Sequence, residues 1–189
     1  MSSETPAKFK IEWGAAELVT PALLTAGTFS VNTGSDVPGE TAFPASILFD
    51  AARVELNAAR PEAQGYGGAK DALYAAWAGA LRVPFKADPE GRNGVWFKSD
   101  LRGFAAKDEG ARALLVVDLA GERFVREFPY DEKIEPGNFT HSLVHQSRST
   151  PATGFAVAVL LLVERRDDTA TVQLKLDSID VEINPNFRA

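Results

Sequence analysis

The 189-residue chain has no cysteine. That excludes disulfides, thiolate catalysis and cysteine-ligated zinc or iron–sulfur sites, and it fits a reducing compartment. Histidine is scarce too: His141 and His145 are the only two, too few for the three or four ligands of a usual metal centre with its outer partners. Cations are in deficit, with 20 Lys and Arg against 26 Asp and Glu, for a net charge of -6. They are scattered rather than clustered, so the concentrated positive surface that a phosphate backbone needs is missing and nucleic acid is not an expected partner. The longest apolar run, residues 155–163, is far shorter than the roughly 20 residues that span a bilayer. Residues 1–10 (MSSETPAKFK) show no basic stretch followed by an apolar one, as a secretory leader would. The expectation is a soluble, cytoplasmic chain without membrane insertion. Internal repeats, low-complexity tracts and a regular alternation of strand with amphipathic helix are absent as well, which disfavours solenoids and the α/β class.

What is present is a core. Hydrophobic residues make up 45% of the chain, with 12 Phe and 3 Trp, enough to fill the interior of one β-sandwich domain over residues 1–189. Residues 154–183 organise the pattern and read as a long β-hairpin. From Phe155 to Val163 both parities are apolar, the mark of a strand covered on both faces. A charged turn, Glu164 to Asp168, leads into Val172, Leu174 and Leu176, which alternate with polar residues before the apolar parity switches to Ile179, Val181 and Ile183. One extra residue at Asp177-Ser178 must be absorbed there, by a β-bulge or by a strand that changes layers.

Elsewhere, residues 8–13 (KFKIEW) alternate as a first strand, and residues 22–31 form a second with a bulge at Gly27. Residues 45–58 carry helix-forming composition but strand-like alternation, and strand is the expectation. For residues 71–87 the spacing of Leu73, Trp77 and Leu81 suggests a short helix around Lys70 to Ala78 that runs into a strand from Leu81. Residues 95–105, 113–119 and 123–128 read as a meander with a tight reversal at Ala120-Gly121. One further short strand is expected at Phe139 to His145. The sum is an all-β fold, an antiparallel, jelly-roll-like β-sandwich of nine or ten strands with at most one or two short helices.

Chemistry-bearing residues are sparse. His141 and His145 are four apart, on one side of a strand or a helix. Ser142, Ser147 and Ser149 lie nearby, but without a nucleophile elbow. With Arg148 the histidines define the cleft of a hydrolase-type alternative. Asp131, Glu132, Glu135 and Asn138 have oxygens suited to calcium but lack the ordered spacing of a binding loop. The GYGG of residues 65–68 is a turn, with no phosphate-loop context. Trp13, Trp77 and Trp96 each sit in an alternating apolar set and are expected in the core. Tyr66 and Tyr130, in loops, with His145 and Gln146, are the set that suits a sugar ring. No cofactor, metal or catalytic residue is expected. The leading expectation is a non-enzymatic binding or assembly module that contacts protein partners or further copies of itself, and a carbohydrate-binding sandwich is the alternative.

Overall fold

A computed structural model describes residues 11–19, 28–34, 42–57, 72–87, 95–146 and 154–184. Among these the fold is all-β, with thirteen strands and no helix. In chain order they are β1 (Ile11–Trp13), β2 (Glu17–Leu18), β3 (Phe29–Thr33), β4 (Phe43–Phe49), β5 (Arg53–Leu56), β6 (Tyr74–Val83), β7 (Phe85–Ala87), β8 (Trp96–Lys107), β9 (Ala111–Leu119), β10 (Glu122–Phe128), β11 (Ile134–Gln146), β12 (Phe155–Arg165) and β13 (Val172–Asn184). A five-stranded antiparallel sheet runs β10-β9-β12-β6-β2, and a six-stranded one runs β11-β8-β13-β4-β3, with β5 also paired to β13. A short β1-β7 ribbon completes the set.

The two large sheets form a sandwich. Phe97 of β8 meets Phe155 of β12 edge-on at 5.6 Å between ring centres, and Phe49 of β4 meets Trp77 of β6 at 6.2 Å. The odd residues of β12, including Leu161 and Val163, face the buried residues of β13 across this layer, as the alternation of side chains along a strand dictates. Leu161 is fully buried, as the apolar run predicts.

The hairpin reading of residues 154–183 is corrected. β12 pairs with β6 and β9, whereas β13 pairs with β8, β4 and β5, so the two strands lie in opposite sheets and the charged turn is an arch between them. Both are central strands, and periodicity reports burial without naming the strand that supplies the hydrogen bonds. The meander is corrected for the same reason: β9 and β10 form a hairpin through Ala120 (φ 51°) and Gly121 (φ 85°), the double positive φ that tight reversals need, but β8 belongs to the other sheet.

Strand count and length also exceed the expectation of nine or ten. Where one strand was expected over residues 45–58 there are two, β4 and β5, over residues 43–49 and 53–56, and Ala58 lies outside the described residues. The helix expected around Lys70 to Ala78 is a strand over its described part: Ala75, Trp77, Leu81 and Val83 are buried at period two, while Leu73 is exposed. The helical spacing of Leu73, Trp77 and Leu81 also satisfies odd parity, and sheet pairing on both sides of β6 decides between the two. β11 extends over Ile134–Gln146 because the long β8 gives it a partner along its length. Residues 8–10 and 22–27 lie outside the described residues.

The parity switch in β13 is a bulge. Its pairing with β8 slips between Leu176 and Ser178, leaving Asp177 as the extra residue, and Leu176 and Ile179 are both fully buried. On the other side of β13 the same irregularity is matched by the bend at residues 50–52, where β4 buries odd residues and β5 buries even ones. The Leu176 amide donates to the Ala52 carbonyl at 2.9 Å within that bend. Next to the bulge sits Gly103, where a Cβ would lie 2.2 Å from the Lys175 carbonyl.

Two outcomes follow. Leu161→Ala is expected to cost about 2 to 5 kcal/mol, seen as a lowered urea midpoint. Deleting Asp177 removes the extra residue and leaves Leu176 and Ile179 at the two-residue spacing of a regular strand, so Ile179, Val181 and Ile183 stay buried and the variant should keep its cooperative melting transition. Deleting Asp180 instead turns Val181 and Ile183 outward and puts Glu182 into the core, so that variant should lose it. Asp177→Ala keeps the register and should melt within a few degrees of the parent.

Candidate functional site

The even residues of β6, β9 and β12 and the odd residues of β10 form the outer face of the five-stranded sheet. Cross-strand register aligns Ala78, Leu160, Val116 and Val125 in one row, and Ala76, Leu162 and Leu114 in the next, ending at Glu127. A third row runs Ala80, Ala158, Asp118 and Arg123. Val125 is 54% exposed, Ala156 and Ala158 are exposed, and Leu160 and Leu162 are half-exposed. β12 is therefore apolar on both faces but covered on only one, which corrects the doubly covered strand of the sequence pattern. Charge is confined to the margin, where Arg112 bridges Glu127 at 2.9 Å and Glu164 at 3.5 Å, and Arg123 pairs with Asp118 at 3.4 Å.

The open edge of the sandwich, where β10 faces β11, holds both histidines. Phe139, His141, Leu143 and His145 share the inward face of β11. His141 stacks on Phe124 of β10 at 4.3 Å and 25°, and His145 lies flat on Phe97 at 5.3 Å and 9°. Further along, the Arg126 guanidinium sits 4.9 Å from the Phe128 ring and 5.1 Å from Phe139. A pocket of about 140 Å³ opens beside His145, lined by Leu119, Glu122, Arg123, Phe124, Leu143, Val144 and the imidazole itself. Both His145 ring nitrogens are buried without a hydrogen-bond partner among the described residues. Burial holds the His145 pKa below its ordinary 6.5, against a weaker opposing pull from Glu122.

On the outer face of the six-stranded sheet the rows are polar. Gln146, Trp96 and Asn184 are register neighbours, followed by Val144, Lys98 and Glu182. The next row is Ser142, Asp100, Asp180 and Ser46. Ser142 donates to Asp100 and Ser46 donates to Asp180, each at 2.6 Å, and Arg102 approaches Asp180 at 3.3 Å. Two aspartates directly opposite each other cost stability in a sheet, so this row is not what stability alone would select. A shallow groove of about 150 Å³ runs over it, with Pro44, Lys98 and Glu182 among its walls.

The sequence-based set is thus divided. His141 and His145 share a face but contact different rings, Gln146 points to the opposite side of β11, and Tyr130 stands beyond the other end of that strand. Tyr130 is half-buried rather than an exposed loop aromatic: its hydroxyl donates to Glu164 at 3.0 Å and Arg166 covers its ring at 4.6 Å. Ser142 faces away from the histidines, so it forms no nucleophile–base pair with them. Tyr66, Arg148, Ser147, Ser149 and residues 65–68 lie outside the described residues. Asp131, Glu132, Glu135 and Asn138 are exposed, and among the described residues no group of three or more His, Asp and Glu is placed to hold a metal ion. Trp77 is in the core and Trp13 packs against it, but Trp96 is half-exposed on the outer face, a correction that register supplies. No described helix is long and apolar enough to cross a membrane.

No family model matches the chain, and no curated protein matches it. Among solved structures, TmCBM61 in complex with beta-1,4-galactotriose is similar at 11% identity and a TM-score of 0.29, over 86% of this chain and 90% of that one. The enzymatically active domain of bacteriophage CBA120 tailspike protein 4 is similar at 10% identity and a TM-score of 0.28, over 91% of this chain, which spans 19% of that chain's length. At these scores the likeness adds nothing to the strand pairings.

His145 gives a signed pH dependence. Its folded pKa lies below 6.5, so the unfolded chain takes up a proton first as pH falls, and the stability tied to the neutral ring is complete above 6.5 and lost below it. The melting temperature should fall between pH 7.5 and 5.5, above the range in which Asp108 and Asp167, whose hydrogen bonds from Thr171 and Thr169 hold their pKa values below 3.8, contribute their own loss. His145→Phe should flatten that slope, as read by thermal melts across the pH series.

Proposed function

We propose that the chain is a non-catalytic assembly module that stacks face to face with a second copy of itself through the outer face of its five-stranded sheet. The observation that carries this reading is the contiguous apolar set of Leu114, Val116, Val125, Leu160 and Leu162, flanked in register by Ala76, Ala78, Ala80 and Ala158. A contiguous apolar patch at a protein surface often marks an interaction site. A second copy suits it for three reasons. Small side chains beside Leu and Val let two sheets approach to about 10 Å, the normal spacing of stacked sheets. Arg82, Arg112 and Arg123 stand against Glu17, Asp118, Glu127 and Glu164 around the margin, so the face is nearly neutral although the chain carries -6, and a two-fold axis sets each sign against the other. Four strands of 7 to 11 residues, β10, β9, β12 and β6, give a face of about 20 by 30 Å, the order of the ~800 Å² that each partner buries in a stable complex.

Light scattering coupled to size exclusion should return twice the chain mass. Leu160→Lys should give a monomer with an unchanged far-UV spectrum, because the side chain lies outside the intramolecular core. A parent chain that remains monomeric at every accessible concentration removes the proposal.

A second reading rests on the opposite face. Trp96, between Gln146 and Asn184 in register, stands on the same sheet face as the groove that Lys98, Asp100, Asp180 and Glu182 line, so an apolar ring face and hydroxyl-binding groups share one face, the combination that recognises an oligosaccharide. Glycan-array binding that disappears in both Trp96→Ala and Asp180→Asn supports it; an array with no hit, or hits indifferent to both changes, rejects it.

A further inference from the structure

We infer that β11 is a docking edge for an extended segment of another protein, which joins the six-stranded sheet as a further strand beside residues 138–146. This stands apart from the assembly reading, which uses the outer face of the other sheet. The first observation is how the sheet edges differ. At the ends of the two large sheets stand β2, β10, β3 and β11. β2 has two residues and β3 has five, and β10 carries Glu122, Arg123, Arg126 and Glu127 among its seven. Shortness and charge are usual means by which an edge is kept from pairing with a foreign strand. β11 has neither: it is 13 residues long, and from Gly137 to Gln146 it contains no Asp, Glu, Lys or Arg.

The second observation is regularity, which decides what kind of partner fits. From Gly137 to Gln146 the pairing with β8 runs without a slip, the irregularity lying between Ile134 and Gly137. Alternate residues of such a strand turn their N–H and C=O away from β8, and no described strand receives them. A row of donors and acceptors that repeats at every second residue over about 30 Å matches the backbone of another extended chain. The inner side of β11 supplies the third observation. Phe139, His141, Leu143 and His145 are half-buried, whereas Leu101, Ser99 and Phe97, opposite His141, Leu143 and His145 on β8, are fully buried. The layer between the sheets thus thins at β11, and an added strand covers it with every second side chain. Its other side chains stand in water beside Asn138, Thr140, Ser142, Val144 and Gln146, all exposed. The partner is therefore a segment of about nine residues, apolar and polar in alternation.

The test is amide-resolved NMR and hydrogen exchange on the full-length chain at physiological ionic strength. The probes are two capped peptides of about nine residues, with valine alternating with lysine in one and with glutamate in the other. In the free chain the amides of residues 138–146 should exchange fast at every second position. Protection at both parities overturns the inference, and if it grows with chain concentration the edge belongs to a second copy instead. Each peptide should give saturable shifts centred on β11 and slow the fast-exchanging set. The double variant Thr140→Lys, Val144→Lys, changed at two exposed positions, should move the preference toward the glutamate peptide by about fivefold relative to the parent, the ratio that two cross-strand pairs of opposite charge give. Shifts that do not saturate with either peptide, shifts centred on β3 or β10, or a preference unmoved in the double variant overturn the inference.

Discussion

Everything in this structure depends on the packing of β12 against β13 across the sandwich. Each is the middle strand of its sheet, hydrogen-bonded on both sides, and each presents an unbroken buried row, Phe155 to Val163 on one and Val172 to Ile183 on the other. Fully burying a side chain such as Leu161 or Leu174 is worth about 1.5 to 3 kcal/mol, and the strands outside this pair add to the same layer. The bulge at Asp177 is what allows β13 to keep one face inward along its whole length. Its neighbours are built around it: the bend at residues 50–52 on one side, and on the other Gly103, where no side chain fits.

Two faces and one edge follow from that layer, and their chemistry differs. The sheet containing β12 turns alanine, leucine and valine outward; the sheet containing β13 turns aspartate, serine, lysine and Trp96 outward. The two sides of the sandwich therefore expose different chemistry, apolar side chains on one and hydrogen-bonding and charged groups on the other. Between them, β10 and β11 face each other at the margin of both sheets, and aromatic–imidazole contacts close the seam where aliphatic packing thins out. Arg126 caps the same seam by lying over Phe128 and Phe139, its guanidinium exploiting the negative ring faces.

The histidines illustrate how a residue type changes meaning with its surroundings. Four residues apart in a strand, His141 and His145 stand too far from one another to share a ligand, and each is held by its own ring. His145, pressed into the seam, keeps a neutral imidazole at pH values where an exposed one would be partly charged, because desolvation penalises the cation. Ser142, between them in sequence, belongs to the other side of β11 and to the aspartate row there. Proximity along the chain joined these three residues; the pleat separates them.

The sequence by itself determined the all-β character, the buried row centred on Leu161, the sharp reversal at Ala120-Gly121 and the register slip at Asp177. These are local consequences of period-two alternation and of backbone conformations that few residues tolerate. Only the tertiary structure decided which strands pair, and so it alone placed β12 and β13 in opposite sheets, converted residues 74–78 from helix to strand, and turned Trp96 outward. Pairing also decided the sites. The row of Asp100, Asp180 and Ser46 gathers residues from three strands separated by up to 134 positions in sequence, and no spacing rule within one strand brings them together. The apolar outer face had left a trace, because β12 is hydrophobic at both parities; alternation reports that a face avoids water, whereas what covers it is settled by surfaces that the strand meets only after folding.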